Sequence, residues 1–220
     1  MDQCPFPHDA SPPAYIPPRI AKLPILRGFP VPWFVEKVNG EFDFRVMSME
    51  KLVKATRFKL CWVCGEPLGA LKSFVIGPMC GINHTSAEPP SHRGCAEYSA
   101  TTCPFLTRPN MKRRENDVEM ADPVGHMIRR NPGVCAVWTV NGYKVWREGK
   151  GILFDVGDPV EVTWFAEGRL ASREEVIASI ESGIHLLEEA CESESTADKR
   201  AKARRELQER WNDLKRHLPE

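Results

Sequence analysis

Alternation and helical periodicity divide the chain into segments of different character. β-Favouring residues from Pro32 to Val38 and from Glu41 to Val46 flank Asn39-Gly40, a pair that accepts the positive φ angles of a type I′ turn, so a hairpin is predicted there. Ser48 is placed to cap a helix through about Arg57, expected to carry Leu52, Val53 and Phe58 toward a core. Farther along, Val134, Ala136, Trp138 and Val140 fall on one side of a strand, and Asn141-Gly142 is expected to turn it into a second hairpin through Arg147. Ile152 to Val156 and Val160 to Phe165 add two strands separated by Gly157-Asp158-Pro159, which predicts a small antiparallel β-meander. Ser172-Arg173-Glu174-Glu175 reads as a capping box opening a helix to about Glu192, with Val176, Ile180, Ile184 and Leu187 at helical spacing. A last stripe, Ala203, Leu207, Trp211, Leu214 and Leu218, predicts the second arm of a C-terminal helical hairpin. Its two arms carry net charges of −6 over Arg173 to Glu194 and +4 over Asp198 to Arg216, which favours antiparallel partnership. The expected fold class is α+β.

Between these elements the pattern is irregular. Nine of the nineteen prolines lie between Pro5 and Pro32, where they remove backbone donors and favour an extended arm. Ile16, Ile20, Leu23, Ile25 and Leu26 give the later half of that arm apolar surface with which to dock as a strap. Arg108 to Asn131 has little periodic hydrophobicity and reads as a basic linker. The expected organisation is therefore an arm over residues 1–31, a hairpin plus metal-binding module over 32–108, a linker over 109–132, and the meander and helical hairpin over 133–220.

Composition narrows the function classes. With 42% hydrophobic and 27% charged residues in 220, the chain has globular character. Thirty basic and thirty acidic side chains cancel, so nucleic-acid binding would need a local patch. The candidates for such a patch are Arg93, Arg108, Lys112, Arg113, Arg114, Arg129 and Arg130. The opening Met1-Asp2-Gln3-Cys4-Pro5 lacks a basic region followed by an apolar run, and the uncharged stretch Ser73 to Ala87 is short and broken by Gly77, Pro78 and Gly81. A cytoplasmic protein without a membrane segment is expected. Eight cysteines in such a chain point to metal or reduced thiols more than to a disulfide framework.

The cysteine spacing carries the chemistry. Cys61-Trp62-Val63-Cys64-Gly65 is a knuckle in which two thiolates three positions apart can grip one ion, with Gly65 permitting the tight turn. Ser91-His92-Arg93-Gly94-Cys95 supplies a second pair, with Ser91 the expected N-cap and His92 and Cys95 on one face of the first helical turn. Cys61, Cys64, His92 and Cys95 together form a closed Cys₃His set suited to a structural Zn²⁺, with Cys80 or Cys103 as alternatives to His92. The order of knuckle, intervening hairpin and helix-borne second pair resembles treble-clef zinc fingers over about Leu60 to Phe105. Some zinc-stabilised nucleases of the HNH type build a catalytic histidine into the corresponding hairpin, where this chain has Asn83-His84. It departs from their pattern in having Ala96 after Cys95 and no aspartate before His84. His84 is the one catalytic candidate of that reading. Zinc-deaminase, P-loop, dinucleotide-binding and nucleophile-elbow motifs are not found, so an enzyme is not the first expectation.

The segments Cys61-Trp62-Val63-Cys64-Gly65, Phe74-Val75-Ile76-Gly77-Pro78-Met79-Cys80 and Ser86-Ala87-Glu88-Pro89-Pro90-Ser91-His92 resemble a group of uncharacterised bacteriophage and prophage proteins. The similarity runs through Cys103-Pro104-Phe105-Leu106 into the C-terminal half. It implies an accessory protein acting in a bacterial cytoplasm and brings no established activity. The leading expectation is a zinc-stabilised protein that binds a macromolecule, a protein partner first and nucleic acid second. The alternatives are an HNH-like metal-dependent nuclease and an inhibitor of a bacterial defence enzyme.

Overall fold

The structure, a computed structural model, describes residues 15–108, 131–149 and 151–220. A short ladder of β1 (Ile25–Leu26) and β2 (Phe29–Pro30) follows the strap and turns at Arg27 and Gly28, both at positive φ. The first predicted hairpin is present: β3 (Val35–Val38) pairs antiparallel with β4 (Glu41–Met47), with Asn39 and Gly40 at φ 53° and 88°. Ser48 accepts a hydrogen bond from the Lys51 N–H and opens α1 (Met49–Phe58), which buries Leu52 and Ala55. Val53 and Phe58, expected in the core, are exposed, because the inward face of the helix follows the three-residue step from Leu52 to Ala55.

The next elements are β5 (Lys72–Ile76), α2 (Pro78–Asn83), β6 (Thr85–Ser86), α3 (Arg93–Thr102) and α4 (Pro104–Thr107). Five strands follow: β7 (Val134–Val140), β8 (Lys144–Glu148), β9 (Gly151–Asp155), β10 (Glu161–Ala166) and β11 (Arg169–Leu170). The main sheet is antiparallel, in the order β11-β10-β7-β5. Strand β7 is buried at every position, and the two-residue alternation of the pleat sorts its side chains between two cores. Val134, Ala136, Trp138 and Val140 join Phe74, Ile76 and Trp164 in the larger core, while Cys135, Val137 and Phe165 meet Ala96 and Ala100 of α3 on the opposite face.

The second hairpin is not formed as expected. Neither Asn141 nor Gly142 is at positive φ, and both edges of β7 are taken, by β5 and by β10. Strand β8, exposed along its whole length, instead pairs with β9 in a separate sheet of order β6-β9-β8. The predicted meander is thus divided between two sheets. Strands β5 and β6 pair with β7 and β9 and not with each other, so the hairpin expected between the knuckle and α3 is not formed by these residues. Segments 32–108 and 133–220 share one sheet and one core.

Three helices complete the chain: α5 (Arg173–Glu181), α6 (Ile184–Glu192) and α7 (Ala197–Leu214). The capping box is complete, with Ser172 Oγ accepting from the Glu175 N–H and the Glu175 carboxylate accepting from the Ser172 N–H. The single helix expected to reach Glu192 is broken at Ser182-Gly183. Helices α6 and α7 pack together, with Arg204 on Glu192 at 2.6 Å, and α7 also packs on α2. That second approach is close: a Cβ at Gly81 would lie 3.3 Å from Leu214 Cδ1. Among the described residues no helix is long and apolar enough to cross a membrane.

Candidate metal centre

The knuckle is built by its backbone. Gly65 N–H donates to the Cys61 carbonyl at 2.9 Å, Cys61 N–H donates to Glu66 at 2.8 Å, and Leu60 bridges Pro67. Gly65 sits at φ 76° with Trp33 against it, where a Cβ would come within 2.6 Å of the indole, so both its torsion and its packing require glycine. Backbone N–H groups then face a sulfur: those of Cys64 and His92 lie 3.5 and 3.4 Å from Cys61 Sγ.

Cys61, Cys64, His92 and Cys95 bring their donor atoms together, each within 4.8 Å of the others, and could hold a metal ion. His92 Nδ1 lies 3.4 Å from Cys64 Sγ and 3.9 Å from Cys95 Sγ. Its Nε2 is 3.0 Å from the Pro67 carbonyl, a pure acceptor, so Nε2 carries the proton and the Nδ1 lone pair faces the three sulfurs. The knuckle thereby orients the fourth donor. The expected cap shifts by one residue: His92, not Ser91, is the N-cap of α3. Ser91 is held in a two-way backbone bridge to Ser73 at 2.7 and 2.8 Å, which keeps it extended.

Electrostatics bind the three thiols into one unit. Hydrogen bonds from the Cys64 and Cys95 thiols, helped by the two backbone N–H groups, hold Cys61 far below its ordinary pKa. The hydrogen bond to Cys61 in turn pushes Cys64 up to about 11, and hydrogen bonds to Cys61 and Cys64 push Cys95 upward as well. One thiolate is favoured and further ones call for a cation. The strap closes over this cluster: Ile20, 1% exposed, packs with Cys61, Val63, Cys64 and Cys95, flanked by Ile16 and Leu23. Arg19 and Lys22 pair with Glu66 at the rim, at 2.9 and 3.1 Å.

All the described cysteines are free thiols. Cys80 on α2 and Cys103 at the end of α3 stand outside the four-donor cluster, and burial raises both, Cys80 to about 11. Comparison with known proteins gives no match. No family model, curated protein or solved structure corresponds to the chain.

The predicted basic strip is represented by two of its seven residues. Arg93 is engaged in ion pairs with Glu97 at 2.8 Å and Glu161 at 2.5 Å. Arg108 lies at the end of α4, where its carbonyl accepts from Asn131 at 3.1 Å. Lys112, Arg113, Arg114, Arg129 and Arg130 lie outside the described residues.

His84 caps the C-terminus of α2 at φ 56° and stands beside Asp158 and Asp213, with donor atoms of all three within 4.8 Å of one another. Burial lowers the His84 pKa, and the positive charge of Arg210 adds to the effect, against the pull of Asp158 and Asp155. Its ring meets the edge of Trp138 at 5.7 Å, and His217 meets the same indole at 5.8 Å. An HNH-type pattern places a carboxylate just before the histidine, and this chain has none at that position. The two that are present come from 74 and 129 positions downstream, where no local spacing signals them.

Proposed function

We propose that the protein is a zinc-stabilised binding protein whose partner is a macromolecule, most simply another protein. The observation that carries the reading is the closed Cys₃His cluster. Three thiols and an imidazole form a soft, four-donor set of the kind that Zn²⁺ takes in tetrahedral coordination, and four protein ligands would leave no position for a reacting water. The strap over the sulfurs supports a scaffolding role, since it shields the cluster and joins the arm, the knuckle and α3. In such a site the ion contributes folding energy, with Cys61, Cys64, His92 and Cys95 as its ligands and the Pro67 carbonyl as orienting partner. Knuckle and helix-borne pair support a treble-clef-like description, although the usual intervening hairpin is replaced by strands committed to other sheets. A protein partner is favoured over nucleic acid because the formal charge is zero and Arg93 is already paired with two carboxylates. The resemblance to bacteriophage proteins supports seeking that partner in a bacterial cell.

The test has two parts. Elemental analysis of the purified chain should give one zinc per molecule, lost in Cys61→Ser. A folded protein without zinc would overturn the scaffold. Affinity capture from bacterial lysate should then retain a protein partner after nuclease treatment, and capture that vanishes with the nucleic acid would move the reading to nucleic-acid binding.

A metal-dependent nuclease is the second reading, favoured by the two carboxylates beside His84. It requires plasmid cleavage with Mg²⁺ or Mn²⁺ that disappears in His84→Ala, and intact plasmid under both ions rejects it.

A further inference from the structure

We propose that His84, Asp158 and Asp213 form a second metal site, open to solvent and able to take an exchangeable divalent ion such as Mn²⁺. The site stands apart from the zinc scaffold and uses the same three residues as the nuclease reading, but metal binding here requires no cleavage and is tested without it. It is assembled from three distant parts of the chain, each fixed by its own interactions. His84 is held through its backbone: its carbonyl accepts from the Val156 N–H at 3.0 Å, and its own N–H closes the end of α2 on Cys80. The same bond ties the loop after β9 to His84. Asp155 Oδ1 accepts from the Gly157 N–H at 3.0 Å, and the Trp138 indole donates to the Gly157 carbonyl at 3.0 Å, so Asp158 follows directly from a doubly anchored turn. Asp213 arrives on α7, which reaches α2 because Gly81 has no side chain to hold Leu214 away.

The donors suit a metal in number and type. Metal bonds to imidazole nitrogen and carboxylate oxygen run to about 2.0–2.2 Å, which places two ligands of one ion at most about 4.4 Å apart. Donor atoms that all lie within 4.8 Å of one another need at most a small inward turn of the side chains to meet that limit. Among the described residues the His84 ring has an edge contact with Trp138 and no hydrogen-bond partner, so a lone pair is available. Two hard carboxylates with one borderline imidazole accept Mn²⁺ far better than three thiolates do, so Mn²⁺ probes the second centre without competing for the first. Asp158 is exposed and the other two are half-buried, leaving the remaining coordination positions to water. One protein cation competes: Arg216 is ion-paired to Asp213 and must release it when the metal enters. Arg210 stays engaged with the Asn83 carbonyl at 2.9 Å.

The experiment titrates the full, zinc-loaded chain with Mn²⁺ and follows the loss of the free-ion signal by electron paramagnetic resonance, with zinc content measured on each sample. One bound Mn²⁺ per chain is expected, weakened at least tenfold in Asp158→Asn and in Asp213→Asn at unchanged zinc content. Arg216→Gln should tighten binding several-fold by removing the competitor. Asp158→Asn alters an exposed side chain and keeps the test valid should Asp213→Asn disturb the helix. Absence of a stoichiometric Mn²⁺, equal affinity in Asp158→Asn, or an unchanged affinity in Arg216→Gln would each overturn the site.

Discussion

The Cys₃His cluster and the His84, Asp158 and Asp213 cluster both gather donors from separate stretches of chain, but with opposite chemistry. The first is soft, buried, closed by a hydrophobic strap and supplied with backbone N–H groups aimed at sulfur. The second is hard, partly exposed and bordered by arginine. Burial with four protein donors makes an ion part of the fold, whereas exposure with three makes it exchangeable. The difference lies in how each cluster is held. The strap, knuckle and α3 converge on the sulfurs, while the second cluster rests on the contact of α7 with α2.

The sharpest way to break the comparison is to remove a ligand from the closed centre. Cys95→Ser should release the proposed zinc and lower the melting temperature by roughly 10 °C or more, read by calorimetry and elemental analysis. A variant that melts like the parent would make the cluster an ordinary group of core thiols. Next in size is Ile20→Ala, which empties the strap's buried anchor. It should cost about 2–4 kcal/mol in denaturant unfolding and speed zinc loss to a chelator, with Mn²⁺ affinity unchanged. Gly81→Ala works in the opposite sense. Crowding of Leu214 against α2 should cost about 1 kcal/mol, part of it offset by helix propensity, and should weaken Mn²⁺ binding without touching zinc.

The smallest effect is a control away from both centres. The ion pair with Arg169, together with the Ser172 N–H, draws the Glu175 carboxyl down to about 2, from an ordinary 4.5. A depressed carboxylate stabilises the fold above its unfolded-state value and loses that contribution as pH falls through its folded value. Glu175→Gln should therefore lower the melting temperature slightly at neutral pH, with the gap to the parent closing between about pH 4.5 and 2. A gap that persists at pH 2 would mean the capping carboxylate acts through something other than its charge.

Local signals in the sequence were good guides to local structure. Asn39-Gly40, the Ser48 cap and the Ser172 capping box each state their geometry within four residues, and each is present. The four soft donors were legible for the same reason, since two pairs at three-residue spacing declare themselves even when far apart. What sequence could not convey was partnership at long range. Asn141-Gly142 carries the same hairpin signal as Asn39-Gly40, but β7 is claimed on both edges by strands that begin 62 residues before it and 27 after it, so the local signal is overruled. Asp158 and Asp213 were invisible as a pair with His84 because only the tertiary packing of α7 on α2, including the close approach at Gly81, brings them together. The docking of Ile20 on the sulfurs was foreseeable only as apolar surface seeking a place.

Strand β7 has a consequence for how the gene can be divided. It lies between β5 from one half of the chain and β10 from the other, and α3, which carries Cys95, rests on both β5 and β7. A proteolytic cut between Arg108 and Asn131 should therefore leave two pieces that remain associated and co-purify. Expressing residues 15–108 alone would strip α3 of half its floor, and supplying 131–220 in trans should restore it. The two halves are separable as covalent pieces but not as folding units.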